Sequence, residues 1–221
     1  MMLSALFKAL GDLLSPDFRG IVIKALGLTL VLFATVLIGV EALVIISTQF
    51  SWPWAEWALA VGTGLVLVVA FFFLMAPVSA IFAGLFLDAV AEQVEMRHYP
   101  RDRPGVPLRP VAAIVTALQF AVIVLVVNLA ILPMVFFGIG AIVLIVANAY
   151  LLGREYFEMI AMRHLSIVEA RRLRKENAAL VFVAGLAPAF LTLIPAINLI
   201  VPFFATAYYV HIFKRVLASS V

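Results

Sequence analysis

The chain has 221 residues, of which 66% are hydrophobic and only 12% charged, against about 25% charged in a typical soluble domain. A soluble protein of this size could not cover so much apolar surface, since large exposed patches drive association; this excludes an ordinary globular enzyme, a disordered chain and a secreted disulfide scaffold. The formal net charge of +3 reads as membrane topology information rather than as a nucleic-acid footprint.

The expected architecture is an all-α integral membrane protein, a single membrane domain over 1–221. Residues 1–19 read as an amphipathic helix lying in the interface, with Met2, Leu3, Leu6, Leu10, Leu13 and Leu14 at helical spacing and Lys8 and Asp12 elsewhere. An apolar block at 20–48 suits one transmembrane helix, since about 20 apolar residues cross a core about 30 Å thick. A second transmembrane helix is expected over 56–96, extending past the bilayer through Asp88, Glu92 and Glu95. These carboxylates share one helix face and read as a solvated helix end beside Arg97 and Arg101. Residues 97–111 carry four prolines and one glycine and read as a loop.

The block at 112–152 holds no charged residue and would reach roughly 61 Å as one helix at about 1.5 Å per residue. Pro133, Gly138 and Gly140 interrupt it, so it reads as a helical hairpin. Residues 154–177 read as basic surface helices, broken at Ser166, an N-cap with Glu169 three positions on in a capping-box pattern. The last block, 178–213, carries Pro188, Pro195 and Pro202. It is too short for two full spans and a turn, so it reads as a Pro-rich hairpin that only partly penetrates the membrane. The architecture is thus two long transmembrane helices plus two partly inserted hairpins, or at most six spans.

Charge placement supports this layout. All 15 Lys and Arg residues fall in the N-terminal segment, at 97–109, at 154–175 and at Lys214–Arg215. The positive-inside rule then puts both termini and both basic segments in the cytoplasm. Trp52, Trp54 and Trp57 cluster at the opposite interface, as an aromatic belt does.

Chemistry-bearing motifs are sparse. There is no G-x-S-x-G, H-E-x-x-H or phosphate-binding lysine loop, so the chain reads as a non-enzyme without cofactor. It has no cysteine and only three histidines, His98, His164 and His211, spread so widely that a His-rich metal cluster is not expected. Glu155 and Glu158 with His164 do not share one helical face, which argues against a metal there. Lys24 reads as snorkelling and Glu41 as snorkelling or pore-lining. Asn198 and the prolines Pro195 and Pro202 make the last hairpin a further pore candidate. At 15–20, Ser-Pro-Asp-Phe-Arg-Gly joins the interfacial helix to the first span. A helix N-terminus with an arginine suits a sulfate- or phosphate-like anion, and equally reads as a helix breaker with a topology-setting arginine.

Taken together, L-L-S-P-D-F-R-G at 13–20, F-L-D-A-V-A-E-Q-V-E at 86–95, R-E-Y-F-E leading into the basic helix to 177, and I-P-A-I-N-L-I-V-P-F-F-A-T-A at 194–207 resemble the CysZ family of bacterial sulfate permeases. The resemblance runs over nearly the whole chain. It implies ATP-independent sulfate uptake across the bacterial inner membrane, supplying cysteine biosynthesis, by a homo-oligomer in the lipid bilayer. It implies sulfate binding at Arg19, with Phe18 and Gly20 beside it. Asp17 stands where the family has glycine, Gly20 where a second basic residue is common, and Leu85 where proline is usual. An aspartate beside an anion site is unfavourable by Coulomb repulsion. The alternative reading is a non-transporting membrane scaffold or a regulatory partner of another transporter.

Overall fold

The structure, a computed structural model, describes residues 2–47, 53–108, 140–194 and 200–219, with positions 115, 119, 123, 126, 127 and 197. Among these there is helix and connecting turn but no strand, so the fold is all-α as expected. The helices are α1 (Met2–Leu13), α2 (Pro16–Ser47), α3 (Pro53–His98), α4 (Gly140–Ala161), α5 (Ile167–Glu176), α6 (Ala178–Leu191) and α7 (Val201–Ser219). The chain forms two compact units, Met1–Arg19 with Leu87–Val221, and Gly20–Phe86.

The second unit is made of the shafts of α2 and α3. Each helix opens on a proline, Pro16 or Pro53, whose preset φ and missing N–H suit the first helical position. At 32 and 46 residues they run roughly 48 and 69 Å at about 1.5 Å per residue. Along α2 the successive residues Leu30, Val31 and Leu32 are all exposed, although neighbours on a helix point about 100° apart. Apolar surface there is not confined to one stripe of the helix. Among the described residues, no helix is long and apolar enough to cross a membrane. The bilayer reading rests on the whole sequence and is taken up below.

The first unit is built around α7. From Val201 to Lys214 this helix is buried at every position but the half-buried Pro202, with Phe203, Phe204, Tyr208, Tyr209 and Phe213 filling the core. Helices α4 and α6 approach so closely that their backbones touch. A Cβ on Gly185 would lie 2.0 Å from the Ala149 carbonyl oxygen, and one on Gly153 would lie 2.7 Å from that of Val181. Small residues at four-residue spacing permit such contact, as in helix pairs packed within lipid. The Tyr209 hydroxyl donates to the Val181 carbonyl at 3.0 Å, tying α7 to the same crossing.

Several boundaries differ from the sequence reading. Helix α4 runs unbroken from Gly140 to Ala161, so the onset of charge at Arg154 does not end it; a charged side chain is a good helix former. The break comes at 162–166, where Ser166 caps α5: its Oγ accepts from Glu169 N, and the Glu169 carboxylate accepts from Ser166 N at 3.0 Å. The 178–213 block folds back on itself as α6 and α7, and α7 continues to Ser219. With 14 residues, α6 is roughly 21 Å long. Its Pro188 lies inside the helix, whereas Pro202 sits in the first turn of α7, where the missing N–H costs nothing. The loop expected at 97–111 is non-helical from Tyr99 to Leu108. Helix α1 packs on α7, but through Ala9 and Asp12, both buried. Leu3, Phe7, Leu10 and Leu14 are exposed. Asp12 thus lies on the packed face of the helix, against the sequence reading.

Candidate functional site

The last turns of α4 and the body of α5 bring the basic segment together as a cleft of about 600 Å³, lined by Gln119, Ile123, Arg154, Glu158, Arg171, Arg174 and Lys175. Helical spacing explains the convergence. Arg154 and Glu158 are four apart on α4, and Arg171, Arg174 and Lys175 are three and four apart on α5, so each set shares a face. The turn fixed by the Ser166 cap directs α5 back beside α4. Glu158 is buried at the centre. Its carboxylate lies 2.6 Å from Arg174 Nε, 3.5 Å from Arg171 Nε and 3.6 Å from Arg154 Nε. The Gln119 side-chain oxygen accepts from Arg171 Nη2 at 3.3 Å. Three arginines thus face one carboxylate, and Lys175 lines the same cleft. Arg171 Nε and Arg174 Nε are buried and turned to Glu158 at ion-pair distance, without an aligned hydrogen bond among the described residues. Guanidinium groups gathered around a cleft match the oxygens of a compact oxyanion.

Glu155 stands next to this set. Burial, reinforced by the Glu158 charge, pushes its carboxyl up to about 8, so it is largely protonated at neutral pH and leaves the basic excess intact. A raised carboxyl holds its proton in the folded state while the unfolded chain releases it near 4.5. The folded state therefore binds more protons between pH 4.5 and about 8, and stability falls as pH rises through that window. Glu155→Gln is expected to remove this fall. Melting curves of both proteins in detergent across the window check it, and parallel pH profiles would refute the assignment.

The positions singled out from the sequence do not gather at this cleft. Phe18 is buried at 1% exposure, whereas Arg19 is exposed. Gly20 begins the other compact unit and has open space around it. Asp17 falls in the first turn of α2 and Glu41 is exposed on the same helix. Pro202 is half-buried. Pro195 and Asn198 lie outside the described residues, as do Trp52, Pro133 and Gly138.

Two polar clusters were not foreseen. Glu95 is buried, not solvated: it accepts from the Gly105 amide at 3.0 Å, meets His164 Nε2 at 2.9 Å and lies 3.5 Å from Arg163 Nη2. Arg163 also binds Asp88, and its carbonyl accepts from Val106 N at 2.8 Å. Burial alone would raise the Glu95 carboxyl, but His164, the Gly105 amide and the Arg163 charge outweigh it and hold it below the usual range. This network clasps the 99–108 loop to the turn after α4. His164 is therefore paired away from Glu155 and Glu158. In the second cluster His98 Nε2 lies 2.9 Å from Asp12 Oδ1, and His211 Nε2 lies 3.7 Å from Asp12 Oδ2. His98 and His211, far apart along the chain, thus meet in space, while His164 stands with Glu95. Neither cluster leaves a local signal, because the partners stand far apart in sequence.

The family described as Sulfate transporter CysZ/Etoposide-induced protein 2.4 matches residues 5–202. No curated protein matches the chain.

Proposed function

The chain belongs to the Sulfate transporter CysZ/Etoposide-induced protein 2.4 family, and on that premise we propose that it passes sulfate across the bacterial inner membrane without ATP, toward the synthesis of cysteine. The family match over nearly the whole chain carries this reading. A sulfate transporter acts in a membrane, and the composition fits: apolar side chains are exposed at successive positions of α2, and the 21-Å length of α6 is short of a core about 30 Å thick. In this reading the apolar sequence blocks at 20–48 and 56–96 span the bilayer, the leucine face of α1 lies in the interface, and the paired helices α6 and α7 enter without crossing. Both termini and the basic segments face the cytoplasm, and the protein works as a homo-oligomer.

Sulfate carries two charges, so removing its water is prohibitive unless fixed positive groups replace it. Arg19, exposed at the start of α2 with its neighbour Phe18 anchored in the core, offers one such group. The cleft around Glu158 offers four. A resident carboxylate there keeps the arginines in place and competes with the anion, which favours weak holding and release.

The test is sulfate flux into proteoliposomes. Saturable flux is expected from the purified protein, and Arg19→Ala is expected to lower it about tenfold at equal membrane abundance, the loss of one charge-assisted hydrogen bond. Undiminished flux would remove Arg19 from the pathway. No flux from well-folded wild-type protein would overturn transport and leave the scaffold reading.

A further inference from the structure

We propose that Asp12, His98 and His211 form a binding site for a divalent transition metal of the zinc class. The three residues come from α1, the end of α3 and α7, and their ligand atoms all lie within 4.8 Å of one another. Two imidazole nitrogens and a carboxylate oxygen are the donor set of many three-ligand zinc sites, which keep a fourth position for water. Tetrahedral ligands about 2.0–2.1 Å from zinc stand roughly 3.4 Å apart. The His98 Nε2–Asp12 Oδ1 distance of 2.9 Å and the His211 Nε2–Asp12 Oδ2 distance of 3.7 Å bracket that spacing.

The second observation concerns His211. The residue is 4% exposed, and its Nε2, which faces Asp12, is buried without a hydrogen-bond partner among the described residues. Its other nitrogen, Nδ1, is engaged by the Tyr99 hydroxyl at 2.8 Å. That is the arrangement around a ligating histidine: a partner on one nitrogen sets ring orientation and tautomer, and the other points at the ion. If the Tyr99 hydroxyl accepts from Nδ1–H, the Nε2 lone pair faces Asp12 and is open to a cation between them.

The surrounding cations do not close the site. Arg97 Nη1 lies 3.4 Å from Asp12 Oδ1, but its side chain is 52% exposed and free to turn to solvent. Lys214 is held by Asp102 at 3.0 Å. A bound ion would clamp three segments that share no local contact in sequence, and would displace the direct His98–Asp12 hydrogen bond.

The experiment uses the full-length protein in detergent, with any affinity tag removed and metal stripped by chelator. Titration with Co(II) alone is expected to give visible d–d absorption saturating at one ion per chain, bleached by Zn(II). His98→Ala and His211→Ala are expected to abolish the absorption. Tyr99→Phe retains every ligand and the ring packing, so it tests the site without removing a buried ligand; it is expected to weaken Co(II) binding about tenfold or more. Zn(II) is expected to raise the melting temperature of the wild-type protein by mass action. The proposal is overturned by wild-type protein that gives no Co(II) absorption, or by absorption that persists in the two histidine variants. Unchanged affinity in Tyr99→Phe overturns it as well.

Discussion

Gly185→Ala is expected to destabilise the protein by about 3 kcal/mol or more, at the upper end of what overpacking costs, and Gly185→Leu to prevent α4 and α6 from pairing. The new Cβ would meet the Ala149 carbonyl oxygen at 2.0 Å, its carbon at 2.9 Å and Gly153 Cα at 3.2 Å. All three are backbone atoms of the facing helix, so no side-chain rotation relieves the clash, and the helices must move apart. Separation would also pull Val181 from the Tyr209 hydroxyl that bonds its carbonyl and open the core around α7. The contrast is Gly20→Ala, where nothing lies within 4 Å. In a helix that change gains about 0.5–1 kcal/mol from reduced backbone freedom. Thermal unfolding of the two variants beside wild type decides the matter. A Gly185→Ala protein as stable as Gly20→Ala would mean that the crossing is looser than described.

That crossing marks the limit of what the sequence discloses. Ala149, Gly153 and Gly185 are visible as small residues in apolar stretches, but pairing them requires knowing which helices meet. Local signals fared better. The Ser166/Glu169 capping box is readable because both partners lie in one turn, and the prolines between 100 and 110 announce a loop. Arg154 misled, since the first charge after a long apolar run suggests a boundary, yet α4 carries it without interruption. Asp12 misled in the other direction: on α1 alone it belongs to the polar face, and only His98 and His211, 86 and 199 positions away, make that face an interior one. The basic residues of 154–175 were legible as a topology signal but not as a cleft, because their convergence depends on Glu158 being buried among them.

Convergence on one carboxylate leads to the second large effect. Arg174→Ala and Arg171→Ala are each expected to raise the KM for sulfate flux about tenfold or more, the cost of losing a hydrogen bond to a charged group. High salt is expected to shrink the difference through screening. Arg172→Ala is the matched control. It removes the same charge from the same helix, but its guanidinium faces outward, exposed and paired with Glu176 at 2.7 Å. Flux through that variant should equal wild type. Arg174→Ala has a structural consequence too, because Glu158 is buried and loses its nearest counter-ion. Glu158→Gln separates the two causes. With the competing carboxylate gone, sulfate should bind more tightly and leave more slowly, lowering KM and kcat together. Adding Arg174→Ala to Glu158→Gln relieves the unpaired charge. If Arg174 acts only by balancing Glu158, the double variant will match Glu158→Gln; if it contacts the anion, KM will rise again by about tenfold. A match between the two, or an Arg172→Ala protein as impaired as Arg174→Ala, would take sulfate out of this cleft.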